Sequence, residues 1–334
     1  MRKVSVVIPT LNRSRVLAQT IDRIENQTIP RDEYEVIVVD NASTDDTQAV
    51  LAEKSATYSN LRSLFQNKPG AAATRNTGLR EAASDIILFI DNDILAEPDL
   101  IEQHLKYHSL NPNSSIIGNV NAPWNEKTDP FLRYLHHRRI YNPYTITSGP
   151  MDFSCYHTGN VSTRRSVLLD VGGFNEDFFI YGMEDIELGY RLEQAGCRMV
   201  NGEGARAVHY YFPTYQEFIQ RCKQAGYSLG KLIELHPELK HRFVEKGRGT
   251  RFLKHFHQVY RIFYNIAGVT SRWLVRREER QGTGPISALL EMHYFWDVRY
   301  HFFLGYNQYR HHVRNGSAPE FVLQIGRNRV PDVS

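Results

Sequence analysis

The stretch that most constrains this chain is Ser84-Asp85-Ile86-Ile87-Leu88-Phe89-Ile90-Asp91-Asn92-Asp93-Ile94. The apolar run Ile86 to Ile90 is short, partly β-branched and without polar alternation, which predicts a central strand of an α/β sheet. It ends in Asp-Asn-Asp, so two carboxylates emerge at the carboxyl end of a strand, where open α/β sheets bind ligands. Oxygen donors there suit a hard divalent cation that also takes phosphate oxygens. For an isolated Asp-x-Asp the plainer account, a turn leaving a strand, would win. The neighbouring segments decide.

Val4 to Ile8 reads as a strand closed by Pro9, and Arg13 to Gln27 as a helix through Val16, Leu17, Ile21 and Ile24. Tyr34 to Val39 is a second strand. The polar run from Asp40 to Asp46 then leads into a helix from about Asp45 to Tyr58, with Ser43 or Thr44 as its expected N-cap. Leu61 to Phe65 is a third strand, and Ala71 to Ala83 a helix carrying Arg75, Asn76 and Gly78. Strand–helix alternation of this kind implies parallel strands with right-handed crossovers, a doubly wound sheet. No Gly-x-Gly-x-x-Gly follows the first strand and no phosphate-loop motif occurs, so a nucleotide would be held by strand-end carboxylates and amides.

The net charge of +3 is too mild to argue for nucleic acid. Cys155, Cys197 and Cys222 have no zinc-like spacing and fit a reducing, cytoplasmic setting. Met1 to Val6 runs straight into strand-like sequence, so no signal peptide is expected. Charged residues interrupt every long apolar stretch, so no membrane span is expected either.

Several motifs in order carry a family resemblance: Val6-Val7-Ile8-Pro9-Thr10-Leu11-Asn12-Arg13, Val38-Val39-Asp40-Asn41-Ala42-Ser43-Thr44-Asp45, and Gly70 with Ala73-Thr74-Arg75-Asn76-Thr77-Gly78. Asp91-Asn92-Asp93, Thr158 to Arg165, Gly172-Gly173-Phe174-Asn175-Glu176 and Tyr181-Gly182-Met183-Glu184-Asp185-Ile186 continue it. Together they resemble the family 2 glycosyltransferases, whose fold is termed GT-A, over roughly residues 3 to 210. The resemblance implies a catalytic domain over 1–213, with a nucleotide-sugar half to about 95 and an acceptor half after it, and a helical C-terminal region over 214–334.

It also implies roles. Asp40 would meet the nucleobase, with Pro9, Thr10 and Asn12 shaping the pocket, and Asp91 would take ribose hydroxyls. Asn41, Ser43, Asn67, Gly70 and Asn92 join the nucleotide-sugar set, and Arg75 would pair with phosphate or close the nucleobase pocket. Asn41 departs from the Asp-Asp often found there, which weakens a preference for uracil and for a UDP-sugar donor. Asp93 and His209 would hold Mn²⁺ or Mg²⁺, although a lone strand-end histidine is as often a plain hydrogen-bonding group. Asp185 would be the general base for inverting displacement, with Glu184 beside it at a helix N-terminus that favours ionised carboxylates. Gly159, Asn160, Gly173 and Phe174 would shape the donor-sugar and acceptor floor, Phe174 being equally a core residue. The partners implied are a nucleoside diphosphate-sugar and a glycan or lipid-linked acceptor.

Beyond about Thr214 the motifs stop. Tyr215 to Ile233 and Ile286 to Val313 read as helices, and cations interleave with aromatics from Arg242 to Arg277. Such a surface docks on the inner, anionic face of a membrane, packs on the catalytic domain as a hairpin, or forms a homodimer contact. His136-His137 and His311-His312 are adjacent pairs, not i, i+4 metal pairs, and read as surface or packing residues. The rivals to glycosyl transfer are a sugar-1-phosphate nucleotidyltransferase and a non-catalytic sugar-nucleotide-binding or membrane-scaffold protein. Pro9-Thr10-Leu11-Asn12 lacks the Gly-rich loop of the first, and the intact acids Asp91, Asp93, Glu184 and Asp185 argue against the second.

Overall fold

Four strands, β1 (Val4–Thr10), β2 (Tyr34–Asp40), β3 (Leu61–Phe65) and β4 (Ile86–Ile90), pair in parallel in the order β3-β2-β1-β4. The structure is a computed structural model that describes residues 2–122, 129–138, 151–245 and 288–322. After β1 the chain lays β2 and β3 on one side, then returns to place β4 on the other. That reversal between β1 and β4 is the point where an open α/β sheet forms a crevice. Every residue of β2 and β4 is buried, as expected of strands covered on both faces.

The sheet then turns mixed. β5 (Ile94–Ala96), β6 (Ser114–Asn121), β7 (Asn160–Arg164) and β8 (Arg198–His209) extend it to eight strands, in the order β3-β2-β1-β4-β7-β6-β8-β5. β7 runs antiparallel to β4 and β6, and β5 antiparallel to β8, whereas β6 and β8 are parallel. The parallel expectation therefore holds for the first four strands.

Helices cover both faces. α1 (Ser14–Glu25) buries Leu17, Ile21 and Ile24 against the β1 side chains Val4, Val6 and Ile8. α2 spans Thr47–Thr57 and α3 Ala71–Glu81. α3 approaches β1 and β2 so closely that a Cβ on Gly78 would clash with a Val7 methyl, so glycine is required by contact. Each aliphatic side chain fully removed from water in these layers contributes about 1.5–3 kcal/mol.

The expected cap of α2 is corrected. Neither Ser43 nor Thr44 caps it; Asp45 accepts the Thr47 N–H at 3.1 Å. Ser43 instead accepts the Asn12 N–H at 2.8 Å, and Asn12 Oδ1 accepts the Thr44 N–H at 2.7 Å. These polar residues stitch the loop after β2 to the loop after β1, because two strand ends side by side leave N–H groups that need partners.

α4 (Leu100–Leu110), α5 (Pro130–His137), α6 (Arg165–Asp170) and α7 (Glu184–Gln194) complete the α/β body. α8 (Tyr215–Leu235) starts at a Thr214–Glu217 capping box and packs lengthwise on α9 (Ala288–Asn315). Small residues allow the approach: a Cβ on Gly226 would clash with the Phe302 carbonyl, and one on Gly305 with that of Lys223. Tyr294 packs with Phe131, Tyr134 and Phe218, and Tyr306 with Leu229 and Leu232. These aromatics of the C-terminal region are therefore core, but the pair is not the expected hairpin: Tyr215 meets Tyr294 and Gly230 meets Tyr309, so α8 and α9 run parallel. Most of the basic stretch from Arg242 to Arg277 lies outside the described residues. Among the described residues no helix is long and apolar enough to cross a membrane.

Candidate active site

Strand register assembles the site. In the β4–β7 pair Ile90 faces Asn160, so Asp91 emerges beside Gly159 and Asn160. In the β5–β8 pair Ile94 faces His209, and the Tyr210 N–H donates to the Asp93 carbonyl at 2.7 Å. That pairing sets His209 Nε2 3.3 Å from Asp93 Oδ1. Residues 116 positions apart in sequence thus meet because two strand ends are paired.

The opposite wall is the start of α7. Gly182 and Met183 have φ of +93° and +72°, a left-handed turn that a methionine adopts only at a cost. A Cβ on Gly182 would also lie 3.1 Å from the Ala225 Cβ of α8. The turn aims Glu184 and Asp185 at the strand ends. A cavity of about 470 Å³ results, lined among others by Arg75, Asp91, Gly159, Asn160, Glu184, Asp185 and His209. That is ample for a sugar with part of its diphosphate.

Arg75 crosses the cleft. Its guanidinium bonds Asp91 Oδ1 at 2.7 Å and Glu184 Oε1 at 3.1 Å, and stands over the Phe174 ring at 5.7 Å. The sequence left Arg75 between a phosphate and a nucleobase role; here it ties the β4 end to the α7 start.

The acids differ in protonation. Burial opposes the Asp93 charge, but the His209 hydrogen bond and charge, then Arg13 and Arg221, hold its carboxyl below the usual range. Burial likewise opposes Asp185, yet the His157 hydrogen bond and charge, Arg75 and the Ile186 N–H outweigh it and pull the carboxyl down. Burial first, then the Asp185 carboxylate, push Glu184 the other way, up to about 7 despite Arg75. Glu184 is the harder of the two to ionise because it is buried beside the Asp185 charge.

A stability prediction follows for Glu184. With a folded value near 7 against an ordinary 4.5, its contribution is complete below about 4.5 and is lost as pH rises through about 7. Compared with Glu184→Gln, which cannot ionise, the wild-type melting temperature should therefore fall as pH rises across that window. A difference that stays flat from pH 4.5 to 8 would contradict the raised value.

The nucleotide-side residues take varied positions. Asn92 donates to Thr10 Oγ1 at 2.9 Å across the β1–β4 switch point. Asn41 donates to the Gln66 and Lys68 carbonyls at 2.9 and 2.8 Å and accepts the Gly70 N–H at 3.1 Å, so it braces the loop after β3. Asp40 is fully buried and bonded to the Ser43 N–H and the Gln48 amide, so a nucleobase would have to displace Gln48. Asn67 is exposed on the loop after β3, and Pro9 lies within β1.

Gly173 and Phe174 lie beneath the cleft, and for Phe174 the core alternative is the one realised. Phe174 is 2% exposed and meets Phe89 edge-on at 5.2 Å, so it belongs to the core beneath the cleft. Gly173 is there for contact and conformation: its φ is +69°, and a Cβ would come within 2.7 Å of Asn76 Oδ1. Asn76 itself accepts the Phe174 N–H at 2.8 Å.

Other contributors carry no sequence motif. His157 Nδ1 lies 3.3 Å from Asp185 Oδ2. His104 and His108 form a buried chain with Ser162 under Asn160, each link 2.8 Å long. Burial pushes them down to about 4 and about 3, so both are neutral and can orient Asn160. Helical spacing at i, i+4 puts both histidines on one face of α4, the only local hint.

Comparison with known proteins adds independent support. The profile described as glycosyl transferase family 2 matches residues 5–172, half of the chain, and one described as the N-terminal domain of galactosyltransferase matches 145–262. A validoxylamine A glucosyltransferase of Streptomyces hygroscopicus subsp. jinggangensis is 32% identical over 221 residues, covering 58% of this chain and 52% of that protein. A chondroitin synthase of Escherichia coli is 29% identical over 237 residues, covering 61% and 34%. The chain thus spans about half the length of the first relative and about a third of the second.

Among solved structures, the mannosyltransferase PcManGT from Pyrobaculum calidifontis, in complex with GDP-Man and Mn²⁺, superposes with a TM-score of 0.57 at 22% identity, covering 92% of this chain and 86% of that one. Staphylococcus aureus TarS 1–349 in complex with UDP gives 0.54 at 15% identity, covering 94% and 92%. At those identities the likeness speaks for the fold, which is GT-A-like. With the profile match across β1 to β7 and the carboxylates set at the strand ends where that fold binds its ligands, the chain belongs to glycosyl transferase family 2.

Proposed function

We propose that the chain transfers one sugar from a nucleoside diphosphate-sugar to a hydroxyl of a glycan or lipid-linked acceptor, with inversion. The observation that carries this is that Asp185 and His209 line one cleft, and His209 touches Asp93. Inverting displacement needs a base on one side of the anomeric carbon and a stabilised leaving group on the other. On this reading Asp185 removes the acceptor proton, while Glu184 and Arg75 hold the wall in place.

The donor set fits Mn²⁺ or Mg²⁺. Asp93 is ionised and buried, an imidazole stands beside it, and mixed oxygen and nitrogen donors tilt selection toward Mn²⁺. Among the described residues no group of three or more His, Cys, Asp or Glu side chains is arranged to hold a metal ion, so diphosphate and water would complete the shell. When bound, the cation neutralises charge developing on the leaving diphosphate. Arg13, 3.7 Å from Asp93, adds positive charge at the same corner.

A UDP-sugar is our preferred donor, UDP being the nucleotide held by TarS, and a GDP-sugar is the alternative, GDP-Man being held by PcManGT. The unpaired cysteines fit action in the cytoplasm, and a lipid-linked acceptor would be met at the membrane face. The test is release of nucleoside diphosphate from UDP-glucose, UDP-N-acetylglucosamine and GDP-mannose, with and without Mn²⁺. Metal-dependent release from one of them supports the proposal. If no nucleotide sugar raises the melting temperature or is consumed, glycosyl transfer by this chain is rejected.

A further inference from the structure

We propose that His157 is a positioning residue for the base, donating its Nδ1–H to Asp185 Oδ2 so that the carboxylate plane is fixed toward the anomeric carbon. This rests on the assignment of Asp185 as base and names the group that orients it.

The two Asp185 oxygens are held differently. Oδ1 accepts the N–H of Ile186, its own neighbour, at 2.8 Å, which anchors one of the two oxygens. Oδ2 faces His157 Nδ1 at 3.3 Å. A donor on each oxygen sets the plane, and the remaining lone pairs are what an incoming hydroxyl can meet.

His157 is well placed for this. It stands three residues before Asn160, whose register with Ile90 is fixed by the β4–β7 pair, so the donor sits on the sheet scaffold. Its side chain is 37% exposed, so shortening it empties no core space. It lines the same cleft as Asp91, Tyr181, Glu184, Asp185 and His209, with Arg75 as the cation that also faces Asp185. A carboxylate misplaced by about 1 Å loses roughly 10²-fold in rate, so the cost of losing this donor should fall on turnover and spare donor binding.

Asparagine and glutamine separate positioning from bulk. The Asn amide nitrogen occupies roughly the place of Nδ1, whereas the Gln nitrogen occupies that of Nε2, too far out to reach Oδ2. With the donor that turns over among UDP-glucose, UDP-N-acetylglucosamine and GDP-mannose, His157→Gln should lower kcat roughly 10- to 100-fold. The donor KM should stay within about threefold. The acid limb of its kcat–pH profile should move to higher pH, because Asp185 loses a donor that favours its ionised form. His157→Asn should restore most of kcat and return the acid limb toward wild type.

A His157→Gln variant with wild-type kcat, or a His157→Asn variant as slow as His157→Gln, would overturn the assignment. Asp185→Asn measured alongside tells the two readings apart. If it keeps wild-type turnover, Asp185 is not the base and the positioning role falls with it. If it is inactive while His157→Gln is normal, the base stands and only the role of His157 is lost.

Discussion

Asp185→Asn should leave nucleoside diphosphate binding nearly intact while transfer collapses by about 10² to 10⁴. The substitution keeps the shape of the side chain, and its amide oxygen can still accept the Ile186 N–H that now meets Oδ1 at 2.8 Å. It removes the ability to take a proton. Its neighbour cannot substitute: Glu184 is pushed up to about 7 by burial and by Asp185, and Arg75 engages its Oε1. Without the Asp185 charge, Glu184 becomes easier to ionise but stays tied to Arg75. The check is kcat together with the UDP-induced rise in melting temperature. Wild-type turnover in this variant would remove Asp185 from the role.

Asp93→Ala should abolish the response to Mn²⁺, lowering metal-dependent turnover by about 10³. That factor corresponds to roughly 4 kcal/mol, a typical contribution of a cation to leaving-group charge. Asp93 is the corner where His209 at 3.3 Å and Arg13 at 3.7 Å converge, so alanine removes the carboxylate that stands beside the imidazole. The measurement is turnover, and the UDP-induced shift in melting temperature, across a Mn²⁺ titration. A variant whose Mn²⁺ dependence matches wild type would exclude Asp93 as a ligand. Metal-dependent turnover in the wild type that is lost in Asp93→Ala would contradict the rival non-catalytic reading, which expects no turnover in either protein.

Much of the fold was legible because its signals are local. The run Ile86 to Ile90 is a fully buried strand, and the alternation before it implies the parallel pairing of β1 to β4. Glu184 and Asp185 do open a helix, as expected of them. The second half of the sheet was less readable, since antiparallel pairing of β5 with β8 joins segments more than a hundred residues apart. That same pairing brings His209 to Asp93, which only motif order had suggested.

What the sequence left open has physical reasons too. His157 belongs to no spacing pattern, and its value lies in a contact with Asp185 that forms across the cleft. Gly173 and Phe174 look like cleft residues in a motif, yet they are fixed by packing on Asn76 and Phe89. Asp40 sits at a strand end as expected, but the loop folds back so that Ser43 and Gln48 satisfy it. A motif marks a position on the chain; which neighbour satisfies each polar atom is decided by tertiary contacts.

The most direct measurement is a crystal structure of the chain with Mn²⁺ and UDP. The expected result is a cation touching Asp93 and His209, with the terminal phosphate of the diphosphate pointing into the cleft toward Asp185. A diphosphate bound outside that cleft, or a cation touching neither Asp93 nor His209, would contradict it.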